Sequence, residues 1–161
     1  MDRLDVRILE ALQHSGDLTH AELAEKVGST QSTCLRRVQR LKDSGHLNKS
    51  VYLADPARLE RGLRVFIVVT TKEHDRRKRM AFAAKLKGES AITLAYGVTG
   101  EVDALLMGNF ASMAEYQETC DRLFDGDDNV VRYTTFFVAE TYKETTAIPC
   151  DALLARLSDL I

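Results

Sequence analysis

Between positions 31 and 40 the chain reads Gln31-Ser32-Thr33-Cys34-Leu35-Arg36-Arg37-Val38-Gln39-Arg40. A guanidinium offers a fork of donors that fits the O6/N7 edge of guanine or two oxygens of a phosphate. Hydroxyl and amide side chains add groups that both donate and accept. Placed on a helix, Ser32, Arg36 and Arg40 fall within ~80° of one another, and Thr33 and Arg37 follow out to ~140°. Cys34, Leu35, Val38 and Leu41 fall between ~180° and ~300°. One arc thus collects the arginines and hydroxyls, and the other collects apolar side chains for docking. Gln31, Ser32, Thr33, Arg36, Arg37 and Arg40 are therefore candidate contacts to double-stranded DNA. The first residues of such a helix lie nearest the bases, and the free amides of Gln31 and Ser32 can hold a phosphate.

A second stretch with chemical potential is Gly97-Val98-Thr99-Gly100-Glu101-Val102-Asp103. Glycine permits a positive φ and lets a ligand approach the backbone. Amides near Gly100 can hold a carboxylate, and Asp103 can meet an α-ammonium. That pairing suits a free amino acid, with Thr99, Gly100, Val102 and Asp103 as candidate effector contacts.

The elements that must present these groups follow from periodicity. Leu4, Ile8, Ala11 and Leu12 recur at helical spacing over Leu4–Gln13. Thr19 and Glu22 fit a capping box, Leu23, Ala24 and Val27 form a short stripe, and Gly28 stands where a helix ends. Thr30 caps a helix over Gln31–Asp43, and Gly45 closes it. Helix, short helix, tight turn and helix make a helix-turn-helix in residues 1–50. Residues 51–64 read as a hinge, with a short strand at Val51–Leu53 and at most a helical turn at Ala57–Arg61. Strands are then expected at Val65–Thr71, Ala91–Tyr96, Ala104–Phe110 and Val130–Glu140, with helices at His74–Lys87 and Ser112–Phe124. This βαββαβ order over residues 65–148 is a ferredoxin-like domain, and the whole is an α+β protein. Two helices cover one face of such a sheet. The other face needs a partner, so an oligomer is expected.

Residues 149–161 form the last element. Leu153, Leu154, Leu157, Leu160 and Ile161 make an apolar stripe on a helix opening near Pro149. A helix this short requires burial, and a neighbouring subunit is the expected partner.

The 161 residues are 45% hydrophobic and 29% charged, with a net charge of −2. No apolar run approaches a membrane span, and acids and bases interrupt the N-terminus as no signal peptide would allow. Cys34, Cys120 and Cys150 are far apart, which suits a reducing cytoplasm and neither a disulfide framework nor a zinc site. Bases exceed acids slightly in residues 1–64 and strongly in 30–49; acids dominate thereafter. A confined basic patch on an acidic chain fits a local polyanion contact. Arg76-Arg77-Lys78-Arg79 is a second basic run, read as a solvated face, and Asp125-Gly126-Asp127-Asp128 as a turn. No histidine lies beyond His74, and no phosphate-binding glycine motif is present. No catalytic constellation, metal site or cofactor site is visible.

The chain resembles the leucine-responsive regulatory protein/AsnC family. The residues that carry the likeness are Leu4–Leu9, Ala21–Gly28, Ser32–Gly45, Ala54-Asp55-Pro56, Val98–Asp103 and Tyr142 to Pro149. The resemblance implies a winged-type helix-turn-helix and a ligand-sensing βαββαβ domain. It further implies homodimers that often form rings of four, an amino-acid effector, and no enzymatic activity. The family's pocket lies between dimers, which adds Thr134 and Thr135 on the last strand as effector candidates. Two features depart from the pattern: Val102 replaces a frequent aromatic, and the chain continues beyond Pro149 with Cys150–Ile161. An architectural, effector-free DNA binder and a ferredoxin-like enzyme are the competing readings.

Overall fold

The computed structural model describes residues 1–73 and 75–158. His74, Leu160 and Ile161, named above, lie outside that set. The chain divides into two compact units, Met1–Tyr52 together with the chain from Lys143 onward, and Leu53–Tyr142.

The first unit is helical: α1 (Arg3–His14), α2 (His20–Val27), α3 (Gln31–Asp43) and α6 (Asp151–Ser158). Each of the first three opens on a side-chain cap. Asp2 and Asp5 form a capping box on α1, Thr19 and Glu22 form one on α2, and Thr30 accepts from the Thr33 amide on α3. Each such cap is worth ~1 kcal/mol, enough to set where short helices begin. Gly28 ends α2 in the left-handed region at φ 67°, so the chain reverses within three residues before α3 starts. Ile8, Ala11, Leu23, Ala24, Val27, Cys34, Val38 and Leu41 meet in one core. Cys34 is fully buried there and packs as a small hydrophobe.

Two expectations for this unit are corrected. Val51–Leu53 is exposed and pairs with no strand. Its three apolar side chains find no ladder partner, and each is more than half exposed. Helix α6, expected against a neighbouring subunit, packs on α1 of its own chain. Gln13 fixes the approach: its Nε2 donates to the Ile148 carbonyl at 3.1 Å and its Oε1 accepts from the Ile148 amide at 2.7 Å. Leu153, Leu154 and Leu157 are half-buried as a result.

The second unit begins with a 3₁₀ turn at Ala57–Leu59. It continues as β1 (Leu63–Thr71), α4 (Arg76–Gly88), β2 (Ile92–Gly97), β3 (Ala104–Phe110), α5 (Met113–Leu123) and β4 (Val130–Phe137). The sheet is antiparallel in the order β2-β3-β1-β4, with β1 and β3 in the centre. Strand β4 ends at Phe137, three residues short of the expected end, once its pairing with β1 stops at Val65. On one face Val65, Ile67, Val69, Ala104 and Leu106 pack beneath Leu86 of α4 and Tyr116, Cys120 and Leu123 of α5. On the other face Phe66, Leu94, Tyr96, Leu105 and Phe136 are 37–58% exposed. Alternation along each strand produces this split, because successive side chains leave opposite faces. The residue pairs Phe66↔Met107, Phe66↔Phe136 and Tyr96↔Leu105 keep the open face apolar across all four strands.

Candidate functional site

Helix α3 carries its polar side chains in three different states. Gln31, Ser32 and Arg36 are exposed, and nothing in the described unit ties the Arg36 guanidinium. Thr33 is half-buried, with its hydroxyl 2.9 Å from that of Thr30, so it belongs to the cap. Arg37 turns inward. Its Nη1 donates to the Asp2 carboxylate and, at 3.0 Å, to Asp5 Oδ1, leaving its side chain 17% exposed. Arg40 lies between these cases: Nη2 donates to Asp5 Oδ2 at 2.5 Å, yet half the side chain remains in solvent.

This corrects the reading of Arg37 as an outward contact. The buried residues Cys34, Val38 and Leu41 centre the docking face near ~207°, so Arg37 at ~140° stands at its margin, within reach of the first turn of α1. Leu35 is corrected too: at ~300° it lies on the opposite margin and is 53% exposed. Arg36, at ~40°, points almost directly away from the core.

Asp5 is the residue that sequence reasoning passed over. Its side chain is fully buried and also accepts from the Asp2 amide at 2.8 Å. Burial alone would push this carboxyl up. The Asp2 amide and the guanidiniums of Arg37 and Arg40 outweigh that and hold it below the ordinary carboxylate range. Arg37 is correspondingly raised, first by Asp2 and then by Asp5. The Asp-x-x-Asp spacing at the start of α1 was the available signal, since it is a capping-box pattern with an acid in the last place.

The second site is a groove of about 1000 Å³ between α4, the β2 edge and the 97–103 loop. Strand β2 and its neighbour place Ala95, Gly97 and Ala104 on the helix side, and side chains this small leave the space under α4 unfilled. Thr99, Gly100 and Asp103 line it, as does Tyr96. Gly100 has φ 136°, a conformation other residues rarely adopt, and a Cβ there would meet open space. Asp103 fastens the loop to β1: its Oδ2 accepts from the Thr71 amide at 2.6 Å and the Thr71 hydroxyl at 3.0 Å, and its own amide donates to the Val69 carbonyl.

Three of the expected effector residues are not brought to this groove within one chain. Val102 is half-buried beside Asp103 but does not line the space. Thr134 and Thr135 lie on β4, at the opposite sheet edge from β2, and Thr135 shares a 2.6 Å hydrogen bond with the Tyr116 hydroxyl. In the run at 76–79, Arg76, Arg77 and Arg79 are exposed, as expected of a solvated face, and Arg76, Lys78 and Arg79 also border the groove. Among the described residues no group of three or more His, Cys, Asp or Glu side chains is placed to hold a metal ion.

Residues 1–42 match the AsnC-type helix-turn-helix domain, and residues 64–148 match the Lrp/AsnC ligand binding domain. The chain belongs to the Lrp/AsnC family of helix-turn-helix transcriptional regulators. Among its Lrp/AsnC relatives, the DNA-binding transcriptional activator DecR of Escherichia coli K12 is 30% identical over 94% of this chain and 99% of its own. The leucine-responsive regulatory protein of Rhizobium meliloti is 30% identical over 92% and 95%. The crystal structure of the transcriptional regulator NMB0573 of Neisseria meningitidis in complex with L-Met superposes with a TM-score of 0.87, at 32% identity over 95% of this chain and 99% of that one.

Proposed function

We propose that this Lrp/AsnC protein binds specific double-stranded DNA sites through α3 and changes its binding when a small effector occupies the groove beside Val98–Asp103. The observation that carries the DNA reading is the division of labour on α3. Arg36 and Gln31 stand free on the outward face, Ser32 is exposed beside them with its hydroxyl 3.3 Å from that of Thr30, and Cys34, Val38 and Leu41 dock the helix. In this reading Arg36 and the first-turn residues contact base edges, Arg40 shares its charge between Asp5 and a phosphate, Thr33 shapes the cap, and Arg37 holds the helix in place.

The effector is read as an amino acid, supported by the L-Met complex of the NMB0573 relative and by the glycine-rich loop with its adjacent carboxylate. Thr99, Gly100 and Asp103 contribute from one chain. Val102, Thr134 and Thr135 can contribute only where a second chain abuts the groove. The apolar open face of the sheet supports a homodimer formed face to face, and four such dimers would make an octamer. We further infer a cytoplasmic regulator without enzymatic activity. The described residues contain no helix long and apolar enough to cross a membrane.

The test is Arg36→Ala on DNA selected by the parent protein. Loss of one base contact costs ~1–3 kcal/mol of specific binding, against little change on random DNA. Equal binding of both proteins to the selected site removes Arg36 from the reading role. A specific-to-random ratio well below ~10³ for the parent would instead favour an architectural DNA binder.

A further inference from the structure

The charge lining the groove is one-sided. Arg76, Lys78, Arg79 and Lys87 all border it, and Asp103 is the one acid among its described lining residues. Lys78 is paired with Glu73 at 2.8 Å. Arg76, Arg79 and Lys87 have no ion-pair partner among the described residues. Asp103 already spends Oδ2 on Thr71. The floor beneath these cations is apolar, with Met80, Phe82, Leu86 and Ile92. A zwitterionic, side-chain-neutral amino acid would leave this surplus of positive charge uncompensated. A ligand with a second carboxylate would answer it, because a guanidinium pairs a carboxylate through two parallel hydrogen bonds.

We propose that the groove selects a small dicarboxylate, with one carboxylate at the Gly100 loop, the second at Arg76 and Arg79, and a short aliphatic segment over the apolar floor between them. This rests on the effector reading above and narrows its chemical class. Two sources share that chemistry: an acidic amino acid, and a dicarboxylic acid lacking the ammonium.

The test is calorimetric titration of the full-length protein with L-glutamate, L-glutamine, 2-oxoglutarate and L-leucine, at low and moderate salt. The pair glutamate and glutamine differ by little more than the second charge. Glutamate should bind at least tenfold tighter than glutamine, and the margin should shrink as salt rises. Arg76→Gln/Arg79→Gln should erase that margin. Arg76→Gln alone should narrow it, whereas Arg77→Gln, which removes one charge from a neighbouring residue that does not line the groove, should keep it. Thermal unfolding of each variant checks that α4 is intact. If 2-oxoglutarate matches glutamate, the ligand is a dicarboxylate read without its ammonium; if only glutamate binds, it is an acidic amino acid; both outcomes support the proposal. Glutamine or leucine binding as tightly as glutamate, in the parent and the double variant alike, overturns the charge selection and leaves the effector reading standing. Failure of all four ligands to bind or to alter DNA affinity overturns both.

Discussion

Replacing Asp5 by Asn tests whether the α1 start holds the DNA-reading helix. The side chain keeps its volume and one acceptor oxygen, and loses its charge. In the native protein the two carboxylate oxygens accept from the Asp2 amide at 2.8 Å, Arg37 at 3.0 Å and Arg40 at 2.5 Å. A hydrogen bond to a charged group contributes ~1.5–3 kcal/mol, so two guanidinium contacts set an upper bound near ~6 kcal/mol. The net loss is smaller, because Arg40 is half exposed and rehydrates, and Arg37 keeps Asp2. The expected destabilisation is about 2–3 kcal/mol. For a unit of this size that lowers Tm by roughly 10–20 °C, read by far-UV circular dichroism at pH 7. Specific DNA affinity, measured by fluorescence anisotropy well below the melting range, should also fall, since α3 loses its tether. Arg37→Ala should reproduce both effects, which a purely DNA-contacting arginine would not do. A Tm within ~3 °C of the parent together with unchanged DNA affinity refutes the reasoning.

The same carboxyl predicts a pH dependence. Its folded pKa lies below the unfolded value of about 3.9, so its stabilisation is complete above about pH 5 and is lost as pH falls through 3.9 toward the folded value; acid unfolding of Asp5→Asn should be flatter across that window than that of the parent. Gly100→Leu places a β-carbon at φ 136°, a strain of ~1–3 kcal/mol confined to the loop. Effector affinity by calorimetry should drop while DNA binding without effector persists, and unchanged affinity would move the site elsewhere. Truncation after Pro149 removes three half-buried leucines and also the entropy cost of ordering α6. The net loss is ~1 kcal/mol or less, and light scattering should show the particle mass retained; a fall to a smaller assembly would mean that α6 serves a neighbour instead.

Most of the helical unit was legible because its signals are local. Thr19 with Glu22, Thr30 before Gln31, and Gly28 after Val27 each act within one helical turn, so the residues carry the information where they stand. The βαββαβ order was legible for a related reason, since strand alternation and helix periodicity differ even in short segments. The candidate DNA face was read in part. Wheel geometry separated Arg36 from Cys34, but it treated every arginine on the polar arc alike.

What separates Arg36 from Arg37 is the first turn of α1, which comes from a stretch more than thirty residues away. Likewise, the basic run at 76–79 reads as a solvated helix face, and only the fold, by setting small residues of β2 and β3 nearby, shows that this face also borders a groove. Thr134 and Thr135 could be assigned to a strand from sequence, but only the strand order β2-β3-β1-β4 puts that strand at the far edge. The sequence by itself determined the order of the helices and strands and where the capped helices α2 and α3 begin, and which residue types the two sites offer, because caps, turns and periodicity depend on neighbours in the chain. Tertiary structure decided which of those side chains are occupied and which are free, because ion pairs such as Asp5 with Arg37 and Arg40, and unfilled volume such as the groove under α4, exist only after distant segments have met.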